Sequence, residues 1–345
     1  MQDVQISRKK PFFSLNRELK DYLGRFGRQM SLPLIYRDLL NTHERLPLLD
    51  ESGEDTLWQI MLYSSSEMDY LHRSLTHIYA LLKMNGDLSF VDNLYIERID
   101  FCTFGNSKPF RIKIVNQFND NYDYFYIKTA DASRVYGLEL EDLLSPNRLN
   151  FIVDLVSQTL VEEHVMGIPG DMFFENYLEL PNINKVRLCK EFIKFNERCF
   201  VRLLGDMRSY NYVVDITPDF DNEQYRVRPI DFDQQCYEGK MKTYLPQYFK
   251  ENYPIVRFVL ETVGREAMYQ YQLEERVLMK KRYISSHSQV RELLDCITND
   301  DVTSRAKMQQ LIQELNQHHM TEKFSGCVRM GEVLELQMSI LLNDL

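Results

Sequence analysis

Between Met68 and Leu82 the apolar positions Met68, Leu71, Leu75, Ile78 and Leu82 recur at spacings of three and four. That period predicts a helix with one buried stripe, and Asn85-Gly86 predicts its stop. The first ninety or so residues read as helical throughout. From Leu94 the texture changes. Leu94 to Phe104 is rich in β-branched and aromatic residues, and Gly105-Asn106-Ser107-Lys108-Pro109 follows as a turn. Phe110, Ile112 and Ile114 then alternate with Arg111 and Lys113, the pattern of a half-buried strand. Asn119-Asp120-Asn121 is the next turn, and Tyr122 to Lys128 a third strand. Strands joined by short turns in this order predict an antiparallel meander.

Beyond Ser145-Pro146-Asn147 the stretch Leu149 to Val165 carries helical periodicity, and Met172 to Leu180 reads as a further strand. Asn182 is the expected N-cap of a helix with Val186, Cys189, Ile193, Phe200 and Leu204 along one side. From Tyr244 to Leu345 the pattern is helical again. Strands and helices segregated in this way predict an α+β chain with two lobes, not a doubly wound parallel sheet.

Composition narrows the classes. The 345 residues are 44% hydrophobic and 27% charged, which fits a folded globular chain. Lys plus Arg is 41 against 51 Asp plus Glu, so the net charge of −10 offers no general attraction to phosphate backbones or anionic lipid. No nucleic-acid or membrane partner is expected. No apolar run approaches the ~20 residues of a membrane helix, and the first residues lack the order of a secretory signal. The six cysteines show no CxxC spacing. They read as reduced thiols of a cytoplasmic protein.

One stretch carries chemistry: Leu203-Leu204-Gly205-Asp206-Met207-Arg208-Ser209-Tyr210-Asn211, followed by a short apolar strand. After a polar turn at Thr217 to Asn222, a second strand from Tyr225 to Ile230 leads into Asp231-Phe232-Asp233. The two strands predict a hairpin that brings Asn211, at the start of one, close to Asp231, at the end of the other. Asp206, Asn211 and Asp231 then gather oxygen-bearing side chains around one point. Hard cations such as Mg²⁺ accept so sparse a set when phosphates and waters complete the shell.

Asp-x-x-x-x-Asn followed by a hairpin and Asp-Phe-Asp resembles the catalytic and metal-binding loops of the protein-kinase-like fold. The Gly-Asp opening and Ile-Asp-Phe-Asp are closer to its atypical and aminoglycoside-phosphotransferase-like branches. In such enzymes the first Asp orients or deprotonates the acceptor hydroxyl, while the Asn and the later Asp hold Mg²⁺ on the nucleotide phosphates. The resemblance therefore implies Asp206 as catalytic base and Asn211 and Asp231 as metal ligands, with Asp233 an additional candidate. It also implies a small upstream sheet with a lysine on its third strand. Tyr124-Phe125-Tyr126-Ile127-Lys128 supplies that lysine, placed to meet the α- and β-phosphates as a point charge.

The turn Gly105-Asn106-Ser107 lies where the family covers the triphosphate, with one glycine and no GxGxxG. The partner of Lys128 is expected on the helix that follows. A capping box at Thr159 to Glu162 would occupy Glu162, which leaves Glu163 as the favoured partner and Glu139 and Glu141 as competitors. Main-chain groups near Glu179 are the expected adenine site, in the linker between lobes.

The expected division is an N-terminal helical extension over 1–90, a kinase-like N-lobe over 91–180 and a helical C-lobe over 181–345. No Ala-Pro-Glu-like anchor follows Asp233, so activation-loop phosphorylation is not expected. The implied function is an ATP- and Mg²⁺-dependent phosphotransferase acting on a hydroxyl of a small molecule or protein. A non-catalytic kinase-like binding module and nucleotidyl transfer on the same scaffold are the alternatives.

Overall fold

In a computed structural model, which describes residues 10–84, 86–89, 91–181, 183–219 and 222–342, the first element is α1 (Arg17–Arg25). It is followed by β1 (Glu44–Leu49), β2 (Asp55–Leu62), α2 (Ser65–Lys83), β3 (Leu94–Cys102), β4 (Phe110–Asn116), β5 (Tyr122–Thr129), α3 (Ala132–Leu144), β6 (Phe151–Asp154) and β7 (Thr159–Glu163). Then come β8 (Ile168–Pro169), α4 (Gly170–Asn176), α5 (Lys185–Arg202), β9 (Tyr212–Asp219) and β10 (Asn222–Pro229). Helices α6 (Tyr253–Thr262), α7 (Arg265–Ser285), α8 (His287–Thr298), α9 (Arg305–His319) and α10 (Met330–Leu341) follow. The class is α+β, with an antiparallel sheet in the first half and helices concentrated in the second. The described residues fall into two compact units: one runs up to Asp131 and adds Leu149–His164, the other combines Ala132–Arg148 with the chain from Val165 onward.

In the first unit, Ser64 and Glu67 start α2 with a capping box, and the chain closes it with Gly86 N donating to Ala80 O at 3.0 Å. Asn85, the other half of the expected stop, lies outside the described residues. The stripe of α2 meets one face of a seven-stranded sheet, ordered β1-β2-β3-β4-β5-β7-β6 among the described residues. Leu71, Leu75, Ile78 and Leu82 pack with Ile112, Ile114, Phe125 and Ile127 in one core cluster. Each fully buried side chain of this kind contributes about 1.5–3 kcal/mol of transfer free energy. The outer edge of β6 is covered by the chain at Arg28–Met30, with Met30 N donating to Val153 O at 3.0 Å and Val153 N to Arg28 O at 2.8 Å.

Three expected elements are corrected. Residues 44–62 form a β-hairpin, not helix. Asp50 folds its turn by accepting from Ser52 N at 2.8 Å and Glu54 N at 2.9 Å, and Trp58 and Ile60 extend the sheet against β3. Residues 149–165 also form a hairpin. Asp154 Oδ1 accepts from Ser157 N at 2.8 Å and from Val156 N at 3.1 Å, so the polar turn splits two short apolar runs. Residues 172–180 are not a strand: α4 and a turn occupy them.

In the second unit, α5 runs against α7 and β10. Its N-cap is Asn184, whose side chain accepts from Arg187 N at 3.2 Å; Asn182 lies outside the described residues. An ion ladder is buried along α5, with Arg198 Nη2 to Glu191 Oε1 at 2.6 Å, Arg276 Nε to Glu197 Oε1 at 2.6 Å, and Arg202 paired with Glu141 of α3. Among the described residues no helix is long and apolar enough to cross a membrane.

Three histidines are expected to make the chain acid-sensitive. Burial holds His164, His318 and His319 below the usual imidazole value of 6.5. A group whose folded pKa is lowered contributes stability above its unfolded value and loses it as pH falls. Melting temperature is therefore expected to fall between roughly pH 7 and about pH 5. Replacing His318 and His319 together by asparagine should flatten that slope in a thermal melt series.

Candidate functional site

Strand alternation decides the surroundings of Lys128. On β5, Phe125 and Ile127 enter the core cluster, so Tyr124, Tyr126 and Lys128 project from the other face. The Lys128 ammonium lies 5.4 Å from the Tyr126 ring centroid. On β7, Leu160 stands opposite Lys128 and Glu162 opposite Tyr126. Glu162 therefore shares the Lys128 face one diagonal step away, and Lys128 Nζ meets Glu162 Oε2 at 2.8 Å with both side chains buried.

This corrects the expected partner. Glu163 projects to the opposite face, where its carboxylate meets Lys83 Nζ of α2 at 2.9 Å. Thr159 caps no helix; its hydroxyl oxygen accepts from Tyr36 N at 3.1 Å. The competitors Glu139 and Glu141 lie on α3, where Glu141 pairs with Arg202 and Glu139 Oε2 accepts from Gln289 Nε2 at 3.4 Å.

The turn Gly105-Asn106-Ser107 joins β3 to β4 as expected, closed by Cys102 N donating to Pro109 O at 3.0 Å. Gly105 takes a φ of +85°, which glycine adopts without strain. Glu179 stands exposed in the turn after α4. Of the main-chain amides near it, Tyr177 N donates to Phe173 O at 2.9 Å and Leu180 N to Tyr177 O at 3.1 Å.

The second unit brings the Asp206 loop and the Asp231 segment together through the backbone. The hairpin β9–β10 forms in the register that pairs Tyr212 with Pro229, and Ile230 N donates to Asn211 O at 3.0 Å. Gly205 N donates to Gln234 O at 3.3 Å and Cys236 N to Leu203 O at 3.0 Å, stitching the chain before Asp206 to the chain after Asp233. Gly170 fits tightly under this assembly, since a Cβ there would lie 2.5 Å from the Tyr212 ring and 2.6 Å from Ser209 O.

Asp206 sits on left-handed backbone, φ +60°, a conformation Asp tolerates better than most residues. Its Oδ1 accepts from Arg208 Nε at 2.8 Å, and Arg208 Nη1 in turn donates to Glu251 Oε1 at 2.8 Å. Burial raises the Asp206 carboxyl above its ordinary value, and Arg208 offsets only part of that rise. Asn211 spends its amide nitrogen on the backbone oxygen of Asp206, at 2.7 Å.

Asp231 and Asp233 carry a feature that no sequence spacing announced. Arg134 of α3, 2% exposed, reaches both with one nitrogen: Nη1 to Asp231 Oδ1 at 3.0 Å and to Asp233 Oδ1 at 2.9 Å. Its Nη2 donates to Ile230 O at 3.3 Å. Asp231 Oδ1 also accepts from Asp233 N at 3.0 Å. The oxygen-rich donor set suits Mg²⁺ in its chemistry, but its arrangement does not fit one, because a guanidinium stands between the two carboxylates. Among the described residues no group of three or more His, Cys, Asp or Glu is disposed to hold a metal ion. Lys128, Glu162, Asp206 and Asn211 thus have defined partners within their own units, and the metal-ligand role of Asp231 and Asp233 meets a competing cation.

No protein-family model matches the chain, and neither does any curated protein. Among solved structures, three similar chains are PAN3 of Neurospora crassa. In a complex of PAN2 (WD40-CS1) with PAN3 (pseudokinase and C-term), the match has 9% identity and a TM-score of 0.21, over 69% of this chain and 57% of that one. The PAN3 pseudokinase alone matches with 10% identity and a TM-score of 0.21, over 81% and 70% of the two chains. A mutant of it gives 10% and 0.19, over 94% and 70%. The chain thus spans little more than half the length of the first of these. Similarity at this level is too low to carry function across.

Proposed function

We propose that the chain is a kinase-like nucleotide-binding protein and that binding, rather than phosphoryl transfer, is its function. The observation that carries nucleotide binding is the buried Lys128–Glu162 pair on adjacent strands. A buried ion pair adds little net stability over an apolar pair of the same size, so its presence points to a use for the charge. In kinase-like sites that use is to hold a lysine toward nucleotide phosphates. The Gly105-Asn106-Ser107 turn is the proposed cover of those phosphates. What weighs against transfer is the Arg134 guanidinium on Asp231 and Asp233.

ATP titrated into the full chain tests this reading by thermal shift. At 100 times its Kd, a ligand that binds only the folded state adds about 2.7 kcal/mol. A rise in melting temperature that saturates with ATP is expected; no rise with or without Mg²⁺ would overturn the reading.

A phosphotransferase is the second reading, favoured by one observation: Asp206 is a partly buried carboxylate with a raised pKa, the setting of a general base. Under that reading the chain transfers the γ-phosphoryl group of labelled ATP to a hydroxyl acceptor, and Asp206→Asn abolishes transfer while ATP binding persists. Equal transfer by wild type and Asp206→Asn would exclude Asp206 as the base.

A further inference from the structure

The carboxylates that would hold a divalent ion are neutralised from inside the chain. Arg134 bridges Asp231 and Asp233 through a single nitrogen, at 3.0 and 2.9 Å, as a bound cation would. We infer that Arg134 is the resident cation of this site, so that nucleotide is taken up as the free triphosphate and not as its magnesium complex. The inference rests on the reading of the chain as a nucleotide binder.

Three features keep the guanidinium in place. It cannot leave by losing its proton, because arginine stays charged at every accessible pH. It is almost wholly buried, and withdrawing it would strand a charge in a poorly solvated place. And α3 cannot swing away to remove it. One turn along, Gly137 packs so closely on the Asp-Phe-Asp segment that a Cβ would lie 2.9 Å from Phe232 Cβ. Tyr136, 1% exposed, anchors the same helix by donating to Asp300 Oδ2 at 2.9 Å.

A metal ion seated on both carboxylates would have to displace Nη1 and then sit beside a positive group held in low dielectric. Like charges at such range repel strongly. Asn211, the remaining metal-ligand candidate, donates only its amide nitrogen to Asp206 O, at 2.7 Å, so its side-chain oxygen alone is left to offer a metal once both carboxylates are engaged by Arg134.

The test is Mn²⁺ titration of the full chain, read by electron paramagnetic resonance, beside ATP thermal shifts in chelator and in Mg²⁺. Wild type is expected to show no Mn²⁺ binding that Asp231→Asn removes, and the same ATP shift in both conditions. Arg134→Gln is expected to gain Mn²⁺ affinity by about tenfold or more, a gain cancelled by adding Asp231→Asn. Should Arg134→Gln fail to fold, Arg134→Lys keeps the charge and should still exclude Mn²⁺, and the wild-type titration decides alone. Mn²⁺ bound by wild type and lost in Asp231→Asn, or an ATP shift seen only with Mg²⁺, would overturn the inference. An ATP shift in neither condition removes the nucleotide reading, while the Mn²⁺ titration still decides whether Arg134 excludes metal.

Discussion

Replacing Glu141 with alanine is expected to lower the unfolding free energy by about 3–5 kcal/mol, the cost of leaving a buried charge without its counter-ion. Glu141 and Arg202 are each 0% exposed. The carboxylate also accepts from Ser145 Oγ at 2.6 Å and Asn147 Nδ2 at 2.8 Å. Burial alone would raise its pKa, but Arg202, with Ser145, Arg198 and Asn147, brings it below the ordinary carboxylate range. A carboxyl lowered on folding contributes stability above its unfolded pKa and loses it as pH falls through the folded value. The pair is thus a second source of acid sensitivity, beside the histidines. Urea titration at neutral pH measures the effect, and the double change Glu141→Leu with Arg202→Met should recover much of it. A loss below about 1 kcal/mol, ordinary for an exposed pair, would contradict the buried geometry.

The second large effect is functional. Lys128→Met removes the only charge the first unit is proposed to offer the nucleotide, while its unbranched chain can still fill the space beside Tyr126. The ATP-induced stabilisation, about 2.7 kcal/mol at 100 times Kd, is expected to vanish in this variant. Because the change also breaks a buried pair, the readout is the shift on adding ATP, not the starting melting temperature. A shift equal to wild type would show that Lys128 takes no part.

Which elements were legible follows from their signals. The stripe of α2, the alternation of β4 and the hairpin β9–β10 each repeat long enough, or sit between turns clear enough, to fix their type. The hairpins at 44–62 and 149–165 did not. Phe151–Asp154 and Thr159–Val161 are buried on both faces, so they show no alternation, and a short apolar run cannot be told from helix by period. That single misreading moved the Lys128 partner by one residue, because helical spacing favours Glu163 and strand alternation favours Glu162. Residues 172–180 failed for a different reason: apolar and aromatic side chains there pack one face of a short helix, with Phe173 buried and Tyr177 stacked on it at 5.7 Å. Arg134 was invisible to spacing altogether. Its partners lie 97 and 99 residues away, and only the packing of α3 on Phe232 brings them together.

The oxygen donors of the Asp206 loop were legible because a hairpin after Asn211 must return the chain beside it. What the sequence could not convey is the charge state of that neighbourhood. Two carboxylates two residues apart, Asp231 and Asp233, read as a metal site until the charge of Arg134 is placed.

The most direct measurement is a structure of the full chain crystallised with a non-hydrolysable ATP analogue in chelator. A triphosphate oxygen within about 4 Å of the Lys128 ammonium, with Arg134 still seated on Asp231 and Asp233, is the expected result. An analogue bound away from Lys128, or none bound at saturating concentration, would contradict the account.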